Sequence, residues 1–179
     1  MGAAALVIVA MLLLGEYTKT WGRLLLTALT LAGFCLSALA PSALHQRRRH
    51  RPLATAGMLA SLAAFILVAT GIWATPNPDA YWKAAAIASI MAVSMFHVSL
   101  LLLLDPGRPL AGGLLWAAVA ATLLAALLAA LGIAVEVKAA SYWWAVFLIV
   151  VTALAGSLAA PALNRWGPDP ASRRPSGPG

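Results

Sequence analysis

Long apolar stretches broken by brief polar punctuation run the length of the chain. Five of them, at about 22 to 44, 53 to 75, 82 to 104, 110 to 135 and 141 to 163, carry few or no charges. Each reaches the roughly 20 mostly apolar residues needed to cross a hydrocarbon core about 30 Å thick. They predict five transmembrane helices. A sixth run, residues 2 to 14, is short by itself and spans only if Gly15, Glu16, Tyr17 and Thr18 continue the helix into the interface. No Lys or Arg precedes that run and no small-residue cleavage site follows it, so a first span is expected in place of a signal peptide.

The polar breaks are short: Gly15 to Thr20, His45 to Pro52, Thr75 to Ala80, Asp105 to Pro109 and Val135 to Ala140. Connections of that length join antiparallel neighbours. Thr75-Pro76-Asn77-Pro78-Asp79 is the firmest of them, because its two prolines remove backbone donors and hold the residues before them extended. From Asn164 to Gly179 the chain turns to Pro, Gly, Ser and Arg, a composition that cannot bury apolar area. The expected plan is a transmembrane helical domain over 1–163, followed by a disordered cytoplasmic tail over 164–179.

An internal period lies over this pattern. Trp21, Trp82 and Trp143 stand 61 positions apart, each opening an apolar stretch and each accompanied by a tyrosine: Tyr17, Tyr81 and Tyr142. Gly71-Ile72 and Gly132-Ile133 keep the same interval, and Arg51-Pro52-Leu53-Ala54 returns as Arg108-Pro109-Leu110-Ala111. The fold class expected is therefore all-α, a polytopic bundle of about six spans built from repeated two-helix hairpins. Successive copies enter the membrane in the same direction, which makes them parallel repeats about the membrane normal. Span one is expected to pack beside span six and close the bundle.

Composition agrees with the pattern. The chain is 63% hydrophobic and 9% charged with a mean hydropathy of +0.91, against roughly 45–50% apolar and 25% charged in soluble domains. Its charges sit at the ends of the apolar segments. Arg47, Arg48, Arg49, Arg51, Arg108, Arg165, Arg173 and Arg174 fall on one side of a six-span arrangement, and Lys19, Arg23, Lys83 and Lys138 on the other. Loops rich in Lys and Arg stay in the cytoplasm, so both termini are expected there. The Ala, Leu, Arg, Pro and Gly bias points to a bacterial cytoplasmic membrane. The net charge of +7 is accounted for by topology, and nucleic acid is not an expected partner.

Candidate chemistry is sparse. Tyr17, Trp21, Tyr81, Trp82, Tyr142 and Trp143 fall near one membrane boundary, where an amphipathic ring keeps its polar atom wet and its body in the acyl region. Arg47, Arg48, Arg49 and Arg51, flanked by His45 and His50, suit anionic lipid head groups, each charge gaining about 1 kcal/mol near such a leaflet. His97 is the one imidazole, acid or base well inside a span, and an intramembrane ionisable group is a candidate functional site. The expected state is a neutral imidazole hydrogen-bonded through Ser94, Ser99 or a backbone carbonyl. Glu16 and Glu136 lie near Lys19 and Lys138, as solvated boundary pairs of little energetic weight.

No cofactor or metal is expected, since no second His, Cys, Asp or Glu joins His97 at ligand spacing. Ser61, Ser89, Ser94, Ser99 and Ser157 lack an acid and base alongside, and Gly112-Gly113 lacks the Lys and Ser or Thr of a phosphate loop. Ala121, Ala125 and Ala129 beside Gly132, and Gly156 with Ala160, form smooth ridges suited to close helix contact. The function these features favour is a non-enzymatic accessory or scaffolding subunit of a membrane complex, with anionic lipid and other membrane subunits as partners. A small-solute or lipid transporter or channel is the alternative, and a quinone-, pigment- or haem-binding membrane protein comes behind it.

Overall fold

A computed structural model describes residues 19–47, 51–104 and 109–166. It is all-helical: α1 (Lys19–Gln46), α2 (Arg51–Ala74), α3 (Asp79–Leu103), α4 (Pro109–Ala134) and α5 (Ala140–Trp166). All five are long and apolar enough to cross a membrane. The sixth candidate span, residues 2 to 14, lies outside the described residues. So do Tyr17, Arg48 and Arg49 among the candidate site residues. Helix α5 runs to Trp166, past the expected tail boundary at residue 164.

The distribution of side chains is that of a protein dissolved in lipid. Small residues fill much of its interior, with Ala54, Ala64, Ala92, Ala118, Ala125 and Ala153 buried beside a cluster of Leu44, Val98, Leu101, Leu102, Leu115 and Val119, whereas Leu39, Leu59, Leu62, Leu148 and Leu158 stand exposed. In water that arrangement forfeits burial of the largest apolar groups. Within hydrocarbon a leucine gains little by leaving the acyl chains, and small residues let helix backbones approach closely. The build is that of a multi-pass membrane protein.

Helices α1, α2 and α3 each touch the other two; α4 lies against α3, and α5 packs chiefly along α4. A proline inside α1 locks the first cluster. Pro41 has no N–H for the Ser37 carbonyl one turn back, and its ring is buried. Gly57 of α2 makes room for it, for a Cβ there would lie 2.9 Å from Pro41 Cγ and 3.3 Å from Met95 Cβ of α3. One turn away the Ser61 hydroxyl donates to the Gly57 carbonyl at 3.0 Å and accepts from Ser37 at 3.0 Å; the Ser37 hydroxyl also lies 2.9 Å from the Phe34 carbonyl. The expected span 22 to 44 contained Pro41 without giving it a role. It is the point where three helices meet.

The turns joining α2 to α3 and α4 to α5 are built from the same parts. Each helix ends on a left-handed residue that is not glycine, Thr75 (φ 44°) and Glu136 (φ 58°). At the second turn Val137 N–H donates to the Gly132 carbonyl at 2.9 Å and Glu136 N–H to the Ile133 carbonyl at 3.4 Å, the paired bonds of a Schellman cap. At the first, Pro76 occupies the place of Val137 and has no N–H to give. Only the simpler bond remains, from Thr75 N–H to the Gly71 carbonyl at 3.1 Å.

Candidate functional site

The aromatic residues close those two turns from above. Trp82 Nε1 donates to the Pro76 carbonyl at 3.0 Å, and Trp143 Nε1 to the Val137 carbonyl at 2.9 Å. Tyr81 and Tyr142 each set their ring edge-on to the following tryptophan, with centroids 5.6 Å apart in both pairs. Their hydroxyls donate to main-chain carbonyls within the preceding helix, Tyr81 to Leu67 and Tyr142 to Leu128. This corrects the expectation that these phenols face water. A backbone carbonyl oxygen has two lone pairs, so each accepts the phenol in addition to its helical N–H. Gly71 and Gly132 are the gaps that admit the rings, since a Cβ would fall 2.9 Å from Trp82 and 2.6 Å from Tyr142 respectively. Trp21, Trp82 and Trp143 remain between 38% and 50% exposed, as boundary residues should. Trp73 ties α2 to α1 at the same end, donating to the Thr27 hydroxyl at 3.0 Å.

At the arginine end the structure places two of the four expected head-group residues. Arg47 is exposed one residue beyond α1, and Arg51 is exposed at the start of α2. His45 is exposed in the last turn of α1.

Glu136 does not pair with Lys138. It makes an ion pair and hydrogen bond with Lys83 in the first turns of α3, joining that helix to the α4–α5 turn. The left-handed φ at Glu136 turns the chain there, so its neighbour in space is a residue from another hairpin and not the next lysine in sequence. The hydrogen bond and then the charge of Lys83 hold the Glu136 carboxyl below its ordinary value of 4.5.

Six or more residues below Lys83, the central turns of α3, α4 and α5 enclose a cleft of about 610 Å³. Its floor is Thr122, Ala125, Ala126 and Ala129 of α4; Ile90, Val93, Phe96 and His97 of α3 form one wall, and Val150, Ala153 and Leu154 of α5 the other. Alanines on the floor create the space, because α3 and α5 both pack on α4 and stand apart above it. The smooth ridge of α4 is thus split. Ala125 and Ala129 face the cleft, and Gly132 receives the Tyr142 and Trp143 rings. Gly156 lies against Ala118 of α4, where a Cβ would come to 3.3 Å. The side chain of Ala160 lies outside the described residues.

Polar groups in the cleft are few and unequal. Ser89 and Thr122 donate to the carbonyls one turn back, Ala85 and Ala118, both at 2.8 Å, as small hydroxyls in helices commonly do. His97 differs. Its Nε2 is buried and has no hydrogen-bond partner among the described residues. The expected bond to Ser94, Ser99 or a carbonyl is therefore absent. Ser94 lies one turn before His97 on the same face of α3 and lines the same cleft, but makes no bond to it. Ser99 points to a different face, is fully buried, and its own hydroxyl also lacks a partner. No group of three or more His, Cys, Asp or Glu that could hold a metal occurs among the described residues.

No family model, curated protein or solved structure matches the chain.

Proposed function

We propose that the protein is a non-enzymatic accessory subunit of a membrane assembly, seated in a bacterial cytoplasmic membrane with both termini inside. The observation that carries this reading is a second face of α4. Gly113, Ala117 and Ala120 are exposed and fall on the side of that helix opposite the cleft floor. At Gly113 a Cβ would meet nothing within 4 Å. A short run of small exposed residues in the first half of a lipid-facing helix, continued by the exposed Leu124 and Leu127, gives a partner helix a point of close backbone approach, which drives association in hydrocarbon. The matching bonds of the two aromatic turns recur at the 61-residue interval and support the reading of α1–α2 and α3–α4 as copies of one hairpin, with α5 opening a third. Arg47, Arg48, Arg49 and Arg51 contact anionic head groups at the cytoplasmic surface, and Tyr17 and the boundary tryptophans fix depth at the other.

Purification in mild detergent tests the proposal. The wild-type protein should bring down a stoichiometric membrane partner, and the variant A117L/A120L should lose it while keeping its helical circular dichroism. A wild-type protein that emerges alone and monodisperse, or a partner retained equally by the variant, overturns it.

A further inference from the structure

We propose that the cleft between α3, α4 and α5 is a binding site for a lipid-soluble molecule bearing a ring carbonyl or hydroxyl, of the isoprenoid quinone class. The proposal stands on the cleft alone and makes no use of the small exposed residues on the opposite face of α4. Its volume, about 610 Å³, falls in the range of roughly 300–1,000 Å³ usual for small-molecule sites, which pair apolar walls with a few placed polar groups. Here the placed group is His97. A neutral imidazole presents at Nε2 either an N–H or a lone pair, and leaving either unpaired in a buried, apolar setting is costly. Ser89 and Thr122 have spent their protons on their own helices; among the described residues lining the cleft, Ser94 is half-buried with no bond of its own, and His97 Nε2 is the fully buried polar atom left without a protein partner.

The depth of the site selects the chemistry. Ser89 to His97 occupy the central turns of α3, and Thr122 to Ala129 those of α4, far from either polar surface. A phospholipid can send only its tail there, and a tail has no atom to bond Nε2. The chain's own run at residues 2 to 14 is equally unsuited, having no polar side chain. What fits is a largely apolar body with a ring oxygen placed to accept from, or donate to, the imidazole. A planar quinone or quinol ring supplies that oxygen, lies between Phe96 and the alanine floor, and extends its isoprenoid tail along the apolar walls.

The test uses the full-length protein in nanodiscs of phosphatidylcholine and phosphatidylglycerol, with isotope-labelled histidine. It is titrated with decylubiquinone and, separately, with decylbenzene, whose ring carries no oxygen. The His97 ring-nitrogen resonance, assigned by its loss in H97L, should shift saturably with the quinone and stay fixed with decylbenzene. H97L should weaken quinone binding about five- to tenfold, the ratio one neutral hydrogen bond contributes. A129F, which fills the cleft from its floor and leaves His97 intact, should abolish binding. Equal affinity for the two probes, an unmoved His97 resonance, or unchanged binding in both variants overturns the proposal. So does an efficient disulfide between V9C and A126C in a C35S background, which would seat the chain's own N-terminal run in the cleft.

Discussion

Single residues at the two aromatic turns bear unequal loads, and the distances rank them. Adding a methyl at Gly132 would place it 2.6 Å from Tyr142, against 3.3 Å from Ala118 for the same change at Gly156. Gly132→Ala should cost about 1–3 kcal/mol, as overpacking does, and Gly156→Ala much less; thermal unfolding in detergent measures both. Tyr142→Phe should cost only about 1 kcal/mol, because the Leu128 carbonyl keeps its helical partner when the phenol is lost. Thr75 tells the opposite story. A β-branched residue at positive φ is strained by on the order of 1–2 kcal/mol, so Thr75→Gly should stabilise the protein by about 0.5–1 kcal/mol after glycine's entropic cost. Glycine at Glu136 would relieve the same strain but sever the contact with Lys83, and should gain less. The sequence made the glycines and aromatics visible through their 61-residue period, yet not their bonds. Nothing in a tyrosine's position tells whether its hydroxyl turns to water or to a carbonyl in the preceding helix.

Between elements, the Lys83–Glu136 pair is the tie that responds to acid. Because its folded-state carboxyl is held below the ordinary value of 4.5, the pair's contribution is present above that value and is lost as the pH falls through the lower, folded one. The unfolding temperature of the wild type should exceed that of Glu136→Gln at neutral pH by a small margin, as expected of an exposed pair, and the margin should vanish in strong acid. A margin that persists there would mean the substitution acts through something other than this charge. The five long helices were plain in the hydrophobic pattern, since length and lack of charge suffice to mark a span. Their faces were not. Hydrophobic residues surround each helix on all sides, so periodicity could not show that Ala125 and Ala129 open a cleft while Gly132 seats a ring, nor that Pro41 joins three helices through Gly57.

At the scale of the whole molecule, among the described residues, α1, α2 and α3 support one another mutually, whereas α4 and α5 are attached chiefly through the contact of α4 with α3 and the ion pair at the turn. Pulled from its C-terminus in a bilayer, the protein should release α5 and α4 in a first step and the three-helix cluster in a later one at higher force; single-molecule tweezers would resolve the two. A single cooperative rupture would contradict that division. His97 was legible as the mid-span imidazole, but the lack of a partner for it depends on which helix stands opposite, and that is a matter of three-dimensional packing. The aromatic turns bear on how the chain is made. Each phenol reaches a carbonyl only 14 positions earlier, and the tryptophan's bond and the helix cap fall within the same short stretch. Every component of a turn is therefore synthesised almost together. A ribosome feeding the insertion machinery delivers α2 with α3, and then α4 with α5, as pairs able to fasten before the next pair is translated, and neither needs to wait for the rest of the polypeptide to find its shape.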